Sequence, residues 1–299
     1  MIGKTTQSGI EIEAALPHIS EWRRVMRILL SRGIVIFGLV IIGIVVIMAI
    51  FAGQISPHDP YEQSLTTRLL PPSLEHPLGT DYLGRDTLSR IIYGSRTALM
   101  VGLIAVGIAA GIGVTLGTVA GYFGGWVYVI IMRLVDALMS IPMLVTALVL
   151  AVLLGGGLPN IMLAVGISMS ASYARLMCAL ALSVKENDYM TAARVSGASN
   201  LRCMLRHCLP NCFPPFIVLI TVQMGGAIMI EAGLSYLGVG IEPPGAAWGA
   251  MIRDGYGYLM DHPALALTPG IAVMLVVYAF NMVGDGLRDA LDPRLRGSI

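Results

Sequence analysis

Charged side chains are scarce in this chain. Only 12% of its 299 residues are Asp, Glu, Lys or Arg, whereas 56% are hydrophobic. A soluble domain carries about 25% charged residues, and a chain with so few cannot cover its surface with polar groups. The composition therefore excludes a soluble globular protein and predicts a membrane protein in contact with lipid.

Several other signals are absent. The net charge is +1, so nothing suggests a nucleic-acid partner, which usually needs a basic face or stripe. The four cysteines all lie between residues 178 and 212, in a region that we place in the cytoplasm, so no disulfide framework is expected. The segment up to Trp22 lacks the basic start and short apolar core of a signal peptide, and we expect it to be retained.

Motifs for catalysis and for metal binding are also missing. Gly3-Lys4-Thr5 resembles the end of a phosphate-binding loop, but the leading glycine and the preceding strand are absent. Cys203 and His207 share a helix face, but too few ligands converge with them to bind zinc or nickel. We therefore expect no enzyme activity, no ATP site, no cofactor and no metal among these residues.

Six apolar segments are long enough to cross a bilayer, which takes roughly 20 helical residues. They predict an all-α, polytopic membrane protein. The third segment is interrupted by Pro142, and a long polar loop with many prolines separates the first two. The six segments are 33–52, about 97–122, about 127–154, about 159–183, about 212–234 and about 265–283.

The positions of Lys and Arg predict the orientation. With both termini in the cytoplasm, fourteen of the nineteen basic residues lie on the cytoplasmic side, where loops of membrane proteins are enriched in them. This orientation makes 1–32 a cytoplasmic segment, 53–95 an extracytoplasmic loop and 184–211 a cytoplasmic loop. The five basic residues left outside are Arg68, Arg85, Arg90, Arg96 and Arg253.

Glycine recurs every four residues along the second span. Such a row leaves one helix face without side chains, so that another helix can approach closely in lipid. The alternative is that glycine is simply common in membrane helices. We predict close helix packing at Gly113, Gly117, Gly121 and Gly125.

Acidic residues within the spans are rare and therefore informative. Arg133 and Asp136 are three residues apart, and we expect them to pair near the membrane interface, with a proton relay as the alternative. Glu231, near the outer end of the fifth span, is our candidate for the substrate path. Its alternatives are a cap for a neighbouring helix or a position at the membrane surface.

The most distinctive stretch is the polar segment 189–210, YMTAARVSGASNLRCMLRHCLP. It resembles the cytoplasmic coupling motif of bacterial ABC importer permeases: E-A-A, three residues, Gly, nine residues, Ile, any residue, Leu-Pro. Thr191 replaces the Glu of the motif, a role that Glu186 or Asp188 can take over, and His207 replaces the Ile. The residues that match the motif or accompany it are Tyr189, Thr191, Ala192, Ala193, Arg194, Gly197, Ala198, Leu209 and Pro210.

The residues of this segment suit docking to a partner. Small side chains allow a short helix to lie deep in a groove, and the glycine permits a turn between two helical pieces. Arg194 and Arg202 suit acidic or carbonyl groups on that partner.

Further signatures narrow the resemblance to the dipeptide, oligopeptide and nickel group of these permeases, and to the "C" subunit within it. Two lie in the first loop and one in the later loop, and the last runs from the end of the sixth span into the C-terminus. They are Leu78-Gly79-Thr80-Asp81, Gly84-Arg85-Asp86, Pro243-Pro244 with Trp248-Gly249, and Phe280-Asn281 with Gly284-Asp285-Gly286-Leu287-Arg288-Asp289-Ala290-Leu291-Asp292-Pro293.

This resemblance implies a type I ABC importer permease fold, with residues 96–299 as the permease domain, in the bacterial inner membrane. It also implies a homologous second permease in a heterodimer, an extracytoplasmic solute-binding protein, and two ATPase subunits that bind ATP and Mg²⁺. The implied cargo is di- or oligopeptides, with nickel, a metal chelate or glutathione as alternatives. A secondary transporter or channel is the alternative from another class, but it usually has ion-binding acids at mid-membrane. A receptor or scaffold without transport is a third.

Overall fold

The structure, a computed structural model, describes the backbone of residues 21–291 and the side chains of residues 25–291. No β-strand occurs between residues 21 and 291, so the predicted all-α fold is confirmed. The helices are α1 (Glu21–Ser31), α2 (Gly33–Ile50), α3 (Ala52–Ile55), α4 (Thr87–Phe123), α5 (Gly125–Met139), α6 (Met143–Leu153), α7 (Leu158–Lys185), α8 (Asp188–Val195), α9 (Asn200–Cys203), α10 (Leu209–Tyr236), α11 (Trp248–Tyr256) and α12 (Ala264–Leu291).

Within the described residues, five helices are long and apolar enough to cross a membrane. They are α2, α4, α7, α12, and α10 with the helical turns before it. The pair α5 and α6 makes a sixth span if it is counted as one, but its two helices meet at 92°. Proline disfavours the helical conformation in the residue before it and has no amide hydrogen, which accounts for the break at Pro142. The sequence predicted one span interrupted at Pro142, whereas the two helices are nearly perpendicular.

The second span begins earlier than predicted. Its helix, α4, starts at Thr87 and not near residue 97. The Asp86 side chain caps α4 by accepting a hydrogen bond from the Ser89 amide at 2.7 Å, which supplies a partner for an otherwise unpaired amide of the first turn. The first three turns are therefore helical although their polar side chains place them outside the apolar window.

Three of the four glycines in the predicted row lie against α7. An ideal Cβ built at Gly117 would stand 2.3 Å from the carbonyl oxygen of Ala174, and one at Gly113 would stand 2.3 Å from Cβ of Tyr173. A Cβ at Gly121 would lie 2.6 Å from the carbonyl oxygen of Cys178. The two backbones approach so closely that no larger residue fits in this row.

Gly125 does not belong to the row. Helix α4 ends at Phe123, the chain turns at Gly124 with φ +69°, and Gly125 opens α5 in a new direction. An ideal Cβ at Gly125 would meet no atom within 4 Å. Gly125 keeps the four-residue spacing in the sequence. It does not share a helix face with the other three glycines, because α4 has already ended.

The expected Arg133–Asp136 pair is wrong. Asp136 accepts a hydrogen bond from the guanidinium of Arg175 on α7 instead. Sharing a helix face brings two residues within reach, but α7 presents a second arginine to the same carboxylate. Both side chains of the pair are about half exposed, so the pair contributes little to stability.

The signature near the end of the chain holds three helices together. Gly284 and Gly286 on α12 leave room for Val222 of α10 and Val35 of α2, since an ideal Cβ would stand 2.4 and 2.5 Å from their side chains. Asp289 pairs with Arg32, just before α2. The predicted segment 1–32 is described only from residue 21, and Gly3-Lys4-Thr5, Asp292 and Pro293 lie outside the described residues.

Candidate functional site

The segment that resembles a coupling motif folds as a helical hairpin. We use "docking hairpin" for residues 188–203, which comprise α8, a turn and α9. The turn is made by Gly197, whose φ of +83° is a conformation that residues with a side chain rarely adopt. The Ser199 side chain then caps α9 by accepting a hydrogen bond from the Arg202 amide at 3.3 Å.

The base of the docking hairpin is anchored on α4 and α7. Met190 and Cys203 are fully buried and belong to the same apolar cluster as Tyr173 of α7. Near the end of α4, the Tyr122 hydroxyl donates a hydrogen bond to Oδ1 of Asn200 at 3.1 Å. The hairpin is therefore packed on the helices of the bundle and does not stand free of them.

The Tyr122 ring makes a second contact with the hairpin. The guanidinium carbon of Arg194 lies 5.7 Å from the centre of this ring, within the range of a cation–π interaction. Arg194 was expected to face a partner. Its side chain is exposed, but its guanidinium group also contacts the Tyr122 ring of this chain.

The docking hairpin and the turn that follows it carry exposed apolar residues. Val195 is 85% exposed, Leu201 is also exposed, and so is Leu205, just after the hairpin. Single exposed apolar residues need no explanation, but this group lies in a polar segment that leaves the membrane bundle. Of the predicted residues, Tyr189, Thr191, Ala192, Arg194, Gly197 and Pro210 are exposed, and Ala193, Ala198 and Leu209 are half-buried.

The Leu209-Pro210 pair of the motif joins the hairpin to α10 through a π-helical turn, Met204–Cys208. The Leu209 amide donates to the carbonyl of Met204, five residues earlier. Pro210 has no amide hydrogen, so the regular helical ladder cannot continue through it, and a widened turn is a common response. The cysteines in and near this turn are free and buried.

Sequence reasoning missed the anchors Tyr122, Met190 and Cys203, and the exposed residues Val195, Leu201 and Leu205. The apolar residues within the polar segment were visible in the sequence, and they are the signal that would have identified the exposed group. Tyr122 lies 68 positions before Met190 in the numbering (190 − 122), so only the fold brings the two together.

A cluster of charged residues lies at the other end of α4. With a rise of 1.5 Å per residue, the 37 residues of this helix separate the two ends by about 55 Å. Asp81 is the centre of the cluster, because its carboxylate accepts from Nε of Arg85 at 2.7 Å and lies 3.7 Å from Nε of Arg90. Arg85 also reaches Asp254 at 3.8 Å.

The signatures of the two loops meet at this end. Nε1 of Trp248 donates to the carbonyl of Ile91 at 3.0 Å, and the Trp248 ring lies against Gly94. Thr97 donates to the carbonyl of Ala246 at 2.9 Å. Segments far apart in the sequence therefore lock α11 and its preceding loop onto the start of α4.

Glu231, the candidate for the substrate path, is 2% exposed on α10. Its Oε1 accepts a hydrogen bond from Oγ of Ser235, one turn further along, at 2.7 Å. Its carboxyl group therefore faces the interior of this chain and not its surface. At the adjacent Ala232, the backbone of α10 lies against Gly249 of α11.

Asp81→Ala should strongly destabilise the protein. Removing this carboxylate leaves two buried arginines without their shared partner, at a cost of roughly 3–5 kcal/mol. Thermal unfolding in detergent should show a much lower midpoint temperature for Asp81→Ala than for the unchanged protein. The control is Asp59→Ala, which removes an exposed acid of the same loop and should leave the midpoint temperature almost unchanged. Equal midpoints for the two variants would contradict the central role of Asp81.

The membrane-spanning helices, the docking hairpin at one end of α4 and the charged cluster at the other define a polytopic membrane protein with two distinct ends. The chain belongs to the family of binding-protein-dependent transport system inner membrane components, whose family model matches residues 113–297. A second model, the N-terminal TM domain of oligopeptide transport permease C, matches residues 20–72. The resemblance found in the sequence is thereby confirmed.

Similar proteins cover nearly the whole chain. A putative peptide transport system permease protein of Brucella suis is 40% identical over 94% of this chain and 93% of its own length. A probable D,D-dipeptide transport system permease protein of Escherichia coli is 40% identical over 84% of each chain. A dipeptide transport system permease protein of Haemophilus influenzae is 42% identical over 89% of this chain and 92% of its own.

A solved structure supports the fold. The MetNI methionine ABC transporter in inward-facing conformations contains a chain that matches with a TM-score of 0.56 at 18% identity, over 68% of this chain and 96% of that chain. Together the family and the fold make this chain an ABC importer permease subunit, a multi-pass protein of the inner membrane.

Proposed function

We propose that this chain forms half of the translocation path of an importer for di- or oligopeptides. A homologous second permease supplies the other half, and two ATPase subunits bind the ATP and Mg²⁺. An extracytoplasmic solute-binding protein delivers the cargo. The names of the relatives, which are peptide and dipeptide permeases, support the cargo class.

The docking hairpin is the observation that supports this role most directly. Its base is buried on α4 and α7, while Val195 and Leu201 of the hairpin, and Leu205 just after it, are exposed. An exposed apolar group on a rigid base suits a groove on a partner protein. We assign that groove to the ATPase, because the hairpin carries the coupling motif.

The orientation is part of the proposal. The docking hairpin and both termini lie in the cytoplasm, and the charged cluster around Asp81 faces outward, as the distribution of Lys and Arg predicts. The loop 53–95, with α3 and the first turns of α4, then forms much of the outer surface. This surface is available to the solute-binding protein.

The hairpin transmits motion through its anchors. When the ATPases close on ATP, a displacement of the docking hairpin is passed to α4 through Tyr122 and Asn200, and to α7 through the cluster around Met190. The path then alternates between its two openings as a rigid-body change biased by ATP. This chain performs no chemical step. Glu231 remains our candidate for a contact within the path.

Val195→Glu tests the docking role. The side chain is exposed, so the substitution should leave the permease folded, while a charge placed in an apolar contact should prevent docking. We expect ATPase co-purification to be lost and ATP-dependent dipeptide uptake to fall at least tenfold. The matched control is Val195→Thr, which keeps the branched shape without a charge and should retain most of the uptake. Normal co-purification by Val195→Glu would contradict the assignment.

Reconstitution of the complete importer tests the whole proposal. Uptake of a labelled dipeptide into liposomes should require ATP, both ATPases and the solute-binding protein. An excess of an unlabelled tripeptide with ordinary α-peptide bonds should compete, whereas glutathione, with its γ-glutamyl bond, and Ni²⁺ should not. Uptake that persists without the ATPases would refute the importer and favour a secondary transporter.

A further inference from the structure

Three side chains of metal-binding type meet on the surface that carries the start of α4. His58 follows α3, His76 lies in the loop before Gly79, and Asp86 caps α4. Ligand atoms of the three residues lie within 4.8 Å of one another. His76 and Asp86 are buried and His58 is half-buried, so the cluster is not a chance meeting of exposed side chains.

We propose that His58, His76 and Asp86 bind a divalent transition metal, with Zn²⁺ as the ion that fits best. Two imidazole nitrogens and one carboxylate oxygen are a common donor set for zinc, and water supplies a fourth ligand in such sites. Imidazole also binds Cu²⁺ and Ni²⁺, whereas Mg²⁺ and Ca²⁺ require a shell of oxygen atoms. The donor set therefore selects a borderline transition metal.

The surroundings orient these side chains as the outer shell of a metal site does. Oδ2 of Asp86 accepts from both the amide and the hydroxyl of Ser89 at 2.7 Å, which leaves Oδ1 directed at Nδ1 of His76, 2.9 Å away. Nε2 of His58 lies 2.9 Å from the carbonyl of Glu75. That contact fixes the ring and leaves Nδ1 of His58 available to a metal.

Access to the site is through His58. This residue lines an open, mostly polar groove of about 380 Å³, which also includes Asp59 and Tyr93. Zinc ligands at about 2.0–2.2 Å from the ion stand about 3.3 Å apart. On binding, the metal would replace the His76–Asp86 hydrogen bond and widen that 2.9 Å separation slightly, while His58 moves closer. His58 is the least buried of the three residues, and its ring is already 4.6 Å from that of His76, so a small movement of this loop residue is sufficient.

A metal here would join three separate segments of one surface. It would tie the residues after α3, the loop around His76 and the first turn of α4, directly beside the cluster of Asp81. The site is held by this chain alone and lies outside the membrane-spanning part of the bundle. The inference does not depend on the cargo or on the ATPases, because binding is measured on the isolated permease.

Metal content and affinity test the proposal. The full chain is purified through a tag without histidine, stripped with chelator, dialysed against Zn²⁺ and analysed by mass spectrometry for metal. We expect about one Zn²⁺ per chain, a micromolar or tighter affinity in competition with a chromophoric chelator, and a higher unfolding temperature with Zn²⁺. Co²⁺ in place of Zn²⁺ should give the visible absorption bands of a four-coordinate site.

Variants decide whether the bound metal occupies this site. His58→Asn and Asp86→Asn should each weaken Zn²⁺ binding 10- to 100-fold, and Asp86→Asn retains an acceptor for the cap of α4. The matched control is His262→Asn, a half-buried histidine of another loop, which should bind normally. Equal binding by all variants, or no Zn²⁺ in the folded wild-type protein, would overturn the proposal. If Asp86→Asn does not fold, Zn²⁺ binding by His58→Asn tests the proposal, because His58 is only half-buried.

Discussion

Gly197→Leu is expected to abolish ATP-dependent uptake while the protein still inserts into the membrane. The residue turns the docking hairpin with φ +83°, a conformation that costs a residue with a side chain about 1–2 kcal/mol. No atom of this chain lies within 4 Å of an ideal Cβ at this position, so leucine meets no clash inside the permease. Its side chain instead projects from the exposed turn, where the ATPase is proposed to dock. Uptake in cells and ATPase co-purification measure the effect.

Gly197→Asn separates the two causes. Asparagine tolerates positive φ better than most residues, so it relieves much of the backbone strain while it still adds a side chain. If the groove on the partner excludes any side chain, Gly197→Asn should fail as Gly197→Leu does. If strain is the main cause, it should retain substantial uptake. Normal transport and normal co-purification by the leucine variant would refute the docking assignment.

Gly117→Val is expected to prevent stable packing of α4 on α7. An ideal Cβ there would stand 2.3 Å from the carbonyl oxygen of Ala174 and 2.8 Å from Cβ of Met177, and neither atom can move aside without moving α7. Forced overpacking costs about 1–3 kcal/mol, and more where backbone must move. The expected result is a large loss of folded protein after extraction and a lower unfolding temperature in what remains.

The same helix supplies a matched control for this substitution. Gly111 lies on the exposed side of α4, and an ideal Cβ there would meet no atom within 4 Å. Gly111→Val makes an identical chemical change in the same helix and should leave the yield and unfolding temperature of the isolated chain nearly unchanged. Similar losses for both variants would show that the helical cost of valine, and not the contact with α7, explains the effect.

The apolar segments were sufficient to predict an all-helical membrane fold, because the thickness of a bilayer requires long runs without charge. They were insufficient where helices continue beyond the membrane. The first turns of α4 carry Arg90 and Arg96, and only the cap at Asp86 shows that the helix has begun. The 92° angle between α5 and α6 could not be predicted from the sequence either, because Pro142 indicates a break in the helix but not its angle.

Local motifs predicted local backbone structure better than residue spacing predicted contacts. The coupling motif located the docking hairpin and its turn at Gly197, because a turn depends on its own few residues. The partner of Asp136 was missed because it lies on another helix. The cluster of His58, His76 and Asp86 was missed for the same reason, because its residues come from segments that have no common spacing.

One uninterrupted helix, α4, connects the two ends of the molecule. Its 37 residues run from the cluster around Asp81 to Tyr122 at the docking hairpin, and the glycines facing α7 lie in its second half. If such a rod pivots near Gly117, a tilt of about 10° displaces its start, about 45 Å away, by roughly 8 Å. In the proposed importer, the short arm would follow the ATPases and the long arm would amplify that motion at the outer surface.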